Sequence, residues 1–345
     1  MRGCTLLCIV MVSYIIRRLL FTFPVLIGLS LLTFTISHLI PGDPVMLVAG
    51  PQATREEIRT LAQEYGLDRP LPAQFLKYIT GLVHGDFGRS IMTRRQVADD
   101  LRLFFPATLE LVLAAMLVAV VLGIPFGIIS AVVRDRWPDN LIRVLSLASI
   151  SLPRFFLALV LQILFGIIIG ILPLGSRFPT LEAPPPHITG FLTLDAILAH
   201  NGDALGMTLR HMMLPALALS LSPLATITRM MRASVLEVMQ QDFVLTERAL
   251  GLPSHLILFK YVLKNASIST LTVIGLYFGY LLSGSVLVEV VFDWPGIGLY
   301  ATNSIISLDF QPIMGVTLLI GVTFVIVNLL IDLMYGLFDP RIRYT

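Results

Sequence analysis

The chain has 345 residues, of which 56% are hydrophobic and only 13% are charged. Soluble domains carry about 25% charged residues, so this chain has too few charges to cover the surface of a water-soluble fold. The formal net charge of +2 gives no indication of nucleic-acid binding, because the basic residues are spread over several loops. Two cysteines exclude a disulfide framework. The composition therefore predicts an integral membrane protein.

Six apolar runs are long enough to cross a hydrocarbon core about 30 Å thick. They show no period-2 alternation, which favours helices over the strands of a membrane barrel. The third run is long enough to include an interfacial turn before Pro153. The six predicted transmembrane helices are approximately 14–40, 108–133, 141–174, 212–231, 268–292 and 313–338.

Lysine and arginine are concentrated in short loops on one side of these spans, such as 134–143 and 229–264. Short loops rich in basic residues remain in the cytoplasm. The first apolar run is too long for the hydrophobic region of a signal peptide, so it predicts a first transmembrane helix. We therefore predict a multi-pass protein of the inner (plasma) membrane with both termini in the cytoplasm.

The segment 41–105, between the first two spans, is too long for a plain connector. It contains helix-like sequence such as TREEIRTLAQEYG. We predict that this segment folds as a small cap on the outer face of the membrane. The alternative is a flexible, solvated loop.

No motif in the chain assembles a catalytic or nucleotide-binding site. The patterns GxxxxGK[ST], HExxH and GxSxG are absent, and PGIGLYA at 295–301 does not follow a strand as a dinucleotide-binding turn must. The outer-side histidines have irregular spacing, which is typical of solvated loop residues rather than of metal ligands. We therefore predict no catalytic, cofactor-binding or metal-ligating residues. The histidines concerned are His84, His187, His200 and His211.

Arg154, in SISLPRFFLALV, is the most conspicuous charge inside an apolar run. One arginine at a helix centre costs about 2.5–3.5 kcal/mol on the insertion scale, which the surrounding apolar residues can offset. It either lines a water-filled translocation path or snorkels from the helix end to the cytoplasmic surface. Pro153 favours a helix break here, and we favour snorkelling. Interfacial positions account for the carboxylates near the run ends, Glu110, Glu289 and Asp332.

The cytoplasmic loop 233–266 predicts two short helical pieces joined by a turn. Asp242 is expected to cap the first helix, since its carboxylate accepts backbone N–H groups and complements the helix dipole. Gly251 supplies the left-handed residue that ends this helix, and Pro253 begins the next piece. The apolar side chains of the first helix suit a groove in a partner protein. The alternative is an amphipathic connector that lies on lipid headgroups.

The stretch DFVLTERALGLPSHLILFKYVLKNA (242–266) resembles the coupling loop of permeases in binding-protein-dependent ABC importers of the peptide/nickel class. The similarity covers nearly the whole chain, and the long external segment after the first helix marks the B-type subunit. The other similar stretches are YIIRRLLFTFPVLIGLSLLTFTISHLIPGDP (14–44), YGLDRPLPAQFLKYITGLVHGDFGRS (65–90), FPATLELVLAA (105–115), DWPGIGLYATNSIISLDFQP (293–312) and NLLIDLMYGLFDPRIRY (328–344).

The resemblance implies an all-α membrane protein with six transmembrane helices and the type I ABC importer permease fold. It implies a first helix plus external segment at 1–105 and a core transmembrane domain at 106–338. The coupling loop 233–266 lies inside that core, and a cytoplasmic tail follows at 339–345. The implied partners are a second homologous permease, two ATPase subunits, an external solute-binding protein and membrane lipid, without nucleic acid. ATP and magnesium would bind the ATPase subunits, so no cofactor is expected in this chain.

In the family, the short helix of this loop docks into a cleft on the ATPase and carries its motion to the membrane helices. The family usually has arginine, alanine and lysine where this chain has Leu245, Glu247 and Leu250, so the loop is less basic than usual. By resemblance, the ATPase-coupling residues are Asp242, Phe243, Thr246, Glu247, Arg248, Ala249, Leu250, Gly251 and Leu252.

These implications predict a permease subunit, not an enzyme, that moves small peptides or a related solute inwards while separate subunits hydrolyse ATP. The alternative is a stand-alone channel or a proton-coupled secondary transporter. It is disfavoured because internal repeats and carboxylates near the midplane are not visible. An intramembrane enzyme has no catalytic pair. Relatives carry peptides, glutathione-like peptides or nickel chelates, so the sequence leaves the cargo open.

The first ten residues resemble nothing in the family, whose usual start is similar to MVSYII from Met11. We therefore expect residues 1–10 to be dispensable and to reflect an upstream start codon.

Overall fold

The structure is a computed structural model that describes residues 20–36, 54–56, 60, 63 and 70–338, with side chains through residue 331. Several predictions lie outside the described residues. They concern the segment 1–10, the two ends of the first span, most of the segment 37–69, the side chain of Asp332 and the tail 339–345.

The described residues are largely helical and form no β-strand, apart from one antiparallel bridge between Arg89 and Gln96. This confirms the all-α prediction. A π-helical turn, Gln162–Ile168, continues the helix that begins at Arg154, and a second one, Ile257–Val262, lies inside the helix Ser254–Gly284. In chain order, the helices are α1 Leu20–Ile36, α2 Leu71–Val83, α3 Val97–Val132, α4 Trp137–Ser151, α5 Arg154–Leu161, α6 Leu192–Leu198, α7 Gly202–Val238, α8 Asp242–Ala249, α9 Ser254–Gly284, α10 Val286–Val291, α11 Ile297–Ile306 and α12 Phe310–Phe338.

Among the described residues, four helices (α3, α7, α9 and α12) are long and apolar enough to cross a membrane. Helix α4 and the extended helix α5 make a fifth span if the bent pair is counted as one, and the bend between them is 112°. Leu152 is extended at this bend because a residue before proline avoids the helical region. The expected break at Pro153 is therefore confirmed. Since α1 is a shorter apolar helix, the count of six spans stays a prediction.

The chain divides into two compact units. Of the described residues, the first unit contains those up to residue 108 together with 295–329, and the second contains 109–294 and 330–338. In the first unit, apolar side chains of α3, α11 and α12 form one buried cluster. Its buried members are Val97, Leu101, Ile297, Tyr300 and Val316.

The described part of the segment 41–105 is folded within the first unit. The Ser90 hydroxyl and the N–H groups of Ile91 and Met92 donate to one carboxylate oxygen of Asp309, at 2.7, 2.8 and 3.1 Å. Asp309 is fully buried and stands directly before α12. The turn after α2 is thus tied to the start of α12, as expected of a folded cap.

Helix α7 is the central helix of the second unit and packs against α4, α5, α6 and α9. Helix α3 also approaches it closely at Gly127. A Cβ atom on Gly127 would lie 2.6 Å from the Cβ of Met231 and 2.7 Å from the carbonyl oxygen of Thr228. Small residues permit this close backbone approach between membrane helices.

Two of the carboxylates assigned to interfacial positions are buried in the second unit. The Thr193 N–H and hydroxyl donate to Glu110 at 2.8 and 2.6 Å, and Arg177 pairs with its other oxygen. The Ser285 hydroxyl donates to the fully buried Glu289 at 2.8 Å. Protein groups rather than water therefore solvate both carboxylates. Their interfacial depth in the membrane stays a prediction.

Candidate functional site

Helix α8 begins one residue earlier than the sequence predicts. Gln241 occupies the extended N-cap position, with φ −77° and ψ 149°, and makes no side-chain capping bond. Asp242 is the first helical residue, so its predicted capping role is wrong. Its carboxylate still lies in the first turn, where a negative charge complements the helix dipole.

The end of α8 is the left-handed turn that the sequence predicts. Gly251 has φ +78°, its N–H donates to Arg248 O at 3.0 Å, and the Leu252 N–H donates to Glu247 O at 3.2 Å. This pair of bonds is the Schellman motif, which closes a helix with glycine in the left-handed conformation. A Cβ at Gly251 would meet no atom within 4 Å. Conformation, and not lack of space, therefore demands glycine here.

The inner face of α8 is anchored in a buried apolar cluster, which we call the loop core. Val244 is fully buried in this core, and Phe243 and Leu252 pack against it. The cluster joins the ends of α3 and α7 to α8 and the start of α9. Its other buried members are Ala131, Met231, Val235, Val238, Ile257, Val262 and Ala266.

The outer face of α8 is uncovered and partly apolar. Leu245 is 56% exposed and Leu250 is 72% exposed. Thr246, Arg248 and Ala249 are exposed beside them. Phe243 and Val244 therefore contact the loop core. Leu245 and Leu250 form a second apolar strip on the exposed face, which also carries Arg248.

The sequence analysis missed a largely buried ion pair between α4 and α7. The Arg232 Nε and Nη2 atoms donate to the two carboxylate oxygens of Asp139 at 2.9 and 2.7 Å. The fully buried Asp139 also accepts from the Ser130 hydroxyl and, at 2.9 Å, from the Asp135 N–H. The pair holds α3, α4 and α7 together. The available signal was two opposite charges near the ends of apolar runs, of which only the arginine contributed to the predicted orientation.

Arg154 does not extend toward loop 233–266, which the sequence places in the cytoplasm. Its guanidinium carbon lies 4.5 Å from the centre of the Tyr280 ring, and its side chain passes directly over Gly284. Both contacts are at the end of α9 that is far from loop 233–266. The prediction that Arg154 snorkels to the cytoplasmic surface is therefore wrong.

In the part of the chain that the structure describes, no three His, Cys, Asp or Glu side chains are placed to hold a metal ion. The imidazole of His211 instead lies beside backbone oxygens, with Nδ1 3.0 Å from Gly175 O.

Comparisons with known proteins identify the family of this chain. A family model described as binding-protein-dependent transport system inner membrane component matches residues 123–344. A second model, for the N-terminal part of such components, matches residues 11–112. The fold and these matches define a membrane permease subunit of an ABC importer, which is a transport protein and not an enzyme. The chain belongs to the family of binding-protein-dependent transport system inner membrane components.

Several curated relatives are similar over almost their full length. A probable D,D-dipeptide transport system permease protein of Escherichia coli strain K12 is 46% identical over 318 residues, which is 92% of this chain and 94% of that protein. A dipeptide transport system permease protein of Alkalihalophilus pseudofirmus is 39% identical over 97% of this chain and 100% of its own length. A glutathione transport system permease protein of Escherichia coli strain K12 is 38% identical over the same shares.

Proposed function

We propose that this permease carries small peptides across the inner membrane into the cell. The relatives described above are named for transport of dipeptides, a D,D-dipeptide and glutathione, all of which are peptides. The permease would work with a second homologous permease, two ATPase subunits that bind ATP and magnesium, and an external solute-binding protein. It would have six spans and both termini in the cytoplasm.

We propose that α8 is the coupling helix that docks on an ATPase subunit. The observation that carries this proposal is the division of its faces: Val244 is locked into the loop core, while Leu245 and Leu250 stay exposed. An amphipathic helix that lies in a hydrophobic groove needs such an uncovered apolar strip. The coupling residues are Asp242, Phe243, Thr246, Glu247, Arg248, Ala249, Leu250, Gly251 and Leu252. They lie in the loop 233–266 of the proposed core domain 106–338.

Motion of α8 would reach the membrane through two rigid connections. The first is the loop core, where Val244 packs among side chains of α3, α7 and α9. The second is the bidentate Arg232–Asp139 pair, which fixes the cytoplasmic end of α7 to α4. Close-packed interiors transmit displacement because they have few voids to absorb it. A push on α8 would therefore tilt α7 and α9 together.

Two substitutions test the coupling proposal. Ala249→Asp places a charge on the docking face, and an uncompensated buried charge costs about 3–5 kcal/mol, or more than about a hundredfold in affinity. Gly251→Val strains the left-handed turn. We expect both variants to stay in the membrane but to lose the ATPase subunits, or to hydrolyse ATP without transport. The measurements are pull-down of the ATPase subunits and transport-coupled hydrolysis in the assembled complex.

Matched controls separate docking from general damage. Ser254→Asp puts the same charge on an exposed residue of the same loop, beyond the turn, and Gly251→Asn keeps a residue that tolerates the left-handed conformation. Both controls should retain the ATPases. Alanine at Glu247 or Arg248 should cost little, since exposed ion pairs are worth about 0–1 kcal/mol. If Ala249→Asp and Gly251→Val both keep wild-type association and coupling, α8 is a lipid-surface connector instead.

A further inference from the structure

A cavity of 540 Å³ opens between α4 and α7 in the second unit. It lies along the first three turns of α4 and the last three turns of α7, next to the Arg232–Asp139 pair. Its lining residues are Asn140, Arg143, Val144, Leu147, Arg229 and Arg232.

The cavity carries an excess of positive charge. Of its three arginines, Arg232 is paired with Asp139. Among the described residues, no carboxylate forms an ion pair with Arg143 or Arg229, and both side chains are exposed. An anionic occupant would supply the missing partner.

One wall of the same cavity is apolar. Val144 and Leu147 are exposed on α4 and line the side of the cavity away from the start of that helix. Trp137, at the first position of α4, is 76% exposed. Exposed tryptophan is enriched where membrane meets water, so the arginines lie close to headgroup depth. The occupant should therefore have an anionic head and an apolar tail.

We propose that this cavity binds an anionic phospholipid of the cytoplasmic leaflet. The headgroup phosphate lies between Arg143 and Arg229, whose planar guanidinium groups suit the bidentate recognition of phosphate. The acyl chain lies along Val144 and Leu147. Basic pockets between membrane helices on the cytoplasmic side favour such headgroups by charge. The assignment to the cytoplasmic leaflet rests on the orientation proposed above. The binding chemistry does not depend on which solute is transported.

The test measures lipid binding to the purified, complete transport complex by native mass spectrometry. The complex is titrated with phosphatidylglycerol, with zwitterionic phosphatidylcholine, and with inorganic phosphate as competitor. Each basic side chain near an anionic surface is worth about 1 kcal/mol, which is about a fivefold change in affinity. We therefore expect Arg143→Gln and Arg229→Gln each to weaken phosphatidylglycerol binding about fivefold, and the double variant about thirtyfold. Phosphatidylcholine binding should not change.

Two further variants keep the result interpretable. Arg136→Gln removes an exposed arginine near α4 that does not line the cavity, and its phosphatidylglycerol binding should stay within about twofold of wild type. The double variant Arg143→Lys, Arg229→Lys keeps both charges and should bind the lipid with the salt sensitivity of the wild type. It serves as the test if the glutamine variants fail to assemble.

Four outcomes would overturn the proposal. If the glutamine variants lose phosphatidylcholine binding as much as phosphatidylglycerol binding, the cavity has no preference for an anionic headgroup. If Arg136→Gln weakens phosphatidylglycerol binding as much as the cavity variants do, the effect comes from general surface charge. Displacement of the lipid by inorganic phosphate would identify a site for free phosphate. Loss of the second permease from the glutamine double variant, with lipid binding unchanged, would identify a contact between subunits.

Discussion

Arg154 is the first residue of α5, directly after the sharp bend at Pro153. A cation at a helix N-terminus gains nothing from the helix dipole, so helix stability does not explain its presence. Its guanidinium lies over the Tyr280 ring, a cation–π contact that lowers the cost of keeping a charge inside the apolar part of the chain. We therefore retain the proposal that Arg154 lines the translocation path, where a fixed positive charge would attract a peptide carboxylate.

Substitution of Arg154 tests this role. Arg154→Gln should lower peptide transport at least tenfold, since a charge-assisted hydrogen bond contributes about 1.5–3 kcal/mol, while ATPase association stays at the wild-type level. Arg154→Lys keeps the charge and should recover part of the rate. The measurement is peptide uptake by proteoliposomes that contain the complete complex. Normal uptake with a lowered melting temperature would instead make Arg154 a structural residue.

The residues of α8 show which features a sequence can predict. Gly251 was predictable because its left-handed turn is a local requirement that glycine meets without strain. The role of Asp242 was not predictable, because a capping role requires α8 to begin at Phe243, whereas the helix begins at Asp242 itself. The Asp139–Arg232 pair joins residues 93 positions apart. Only packing of α4 on α7 brings these two charges together.

At the scale of elements, the close approach of α3 to α7 depends on two glycines one turn apart, Gly123 and Gly127. At Gly123, an added Cβ would lie 3.0 Å from a side-chain carbon of Ile227, and at Gly127 it would meet Met231 still closer. The spacing is the G-x-x-x-G pattern by which membrane helices pack tightly. Both helices also carry the loop core at their ends, so their separation sets the position of α8.

Enlarging Gly127 should therefore disturb the second unit. Gly127→Val forces Met231 and the α7 backbone away, and overpacking of this kind costs about 1–3 kcal/mol. We expect a lower melting temperature of the purified permease and weaker ATPase association. Gly206→Val is the matched control, because an added Cβ on this glycine of α7 meets nothing within 4 Å. Equal melting temperatures for the two variants would show that the α3–α7 contact does not limit stability.

The ends of the helices do not coincide with the ends of the apolar runs from which they were predicted. Helix α7 runs from Gly202 to Val238, well beyond the predicted span 212–231, because Asn201 caps it outside the apolar run by accepting the Ala204 N–H at 3.0 Å. The third run was predicted to be over-long, with a turn before Pro153, and the structure divides it there into α4 and α5. Hydropathy records the length of an apolar run, whereas capping and proline decide where the helix ends.

At the scale of the whole molecule, the described part of segment 41–105 belongs to one compact unit with parts of α3, α11 and α12. Its described residues are held by backbone bonds such as Ser90 N–H to Arg95 O and Val97 N–H to Gly88 O, both 2.9 Å. The buried carboxylate of Asp309 adds three donors from the turn at 90–92. These bonds support the proposed cap on the outer face.

Hydrogen exchange of the intact complex tests the cap. We expect slow exchange for the amides of Ser90 and Val97. In Asp309→Ala, exchange around residues 88–97 should be at least tenfold faster, since hydrogen bonds to a charged group contribute about 1.5–3 kcal/mol. Asp99→Ala removes an exposed aspartate of the same unit and should change little. Rapid exchange throughout residues 55–100 in the wild type would rule out the cap.

The sequence by itself determined the membrane class, the helical fold, the break at Pro153, the turn at Gly251 and the family. These features depend on composition, on local backbone preference or on runs of residues that are adjacent in the chain. Only the tertiary structure decided which face of α8 is exposed, where Arg154 points, and which charges meet where α4 packs on the C-terminal part of α7. Each of these depends on contacts between residues far apart in sequence, and such contacts follow from how the helices pack.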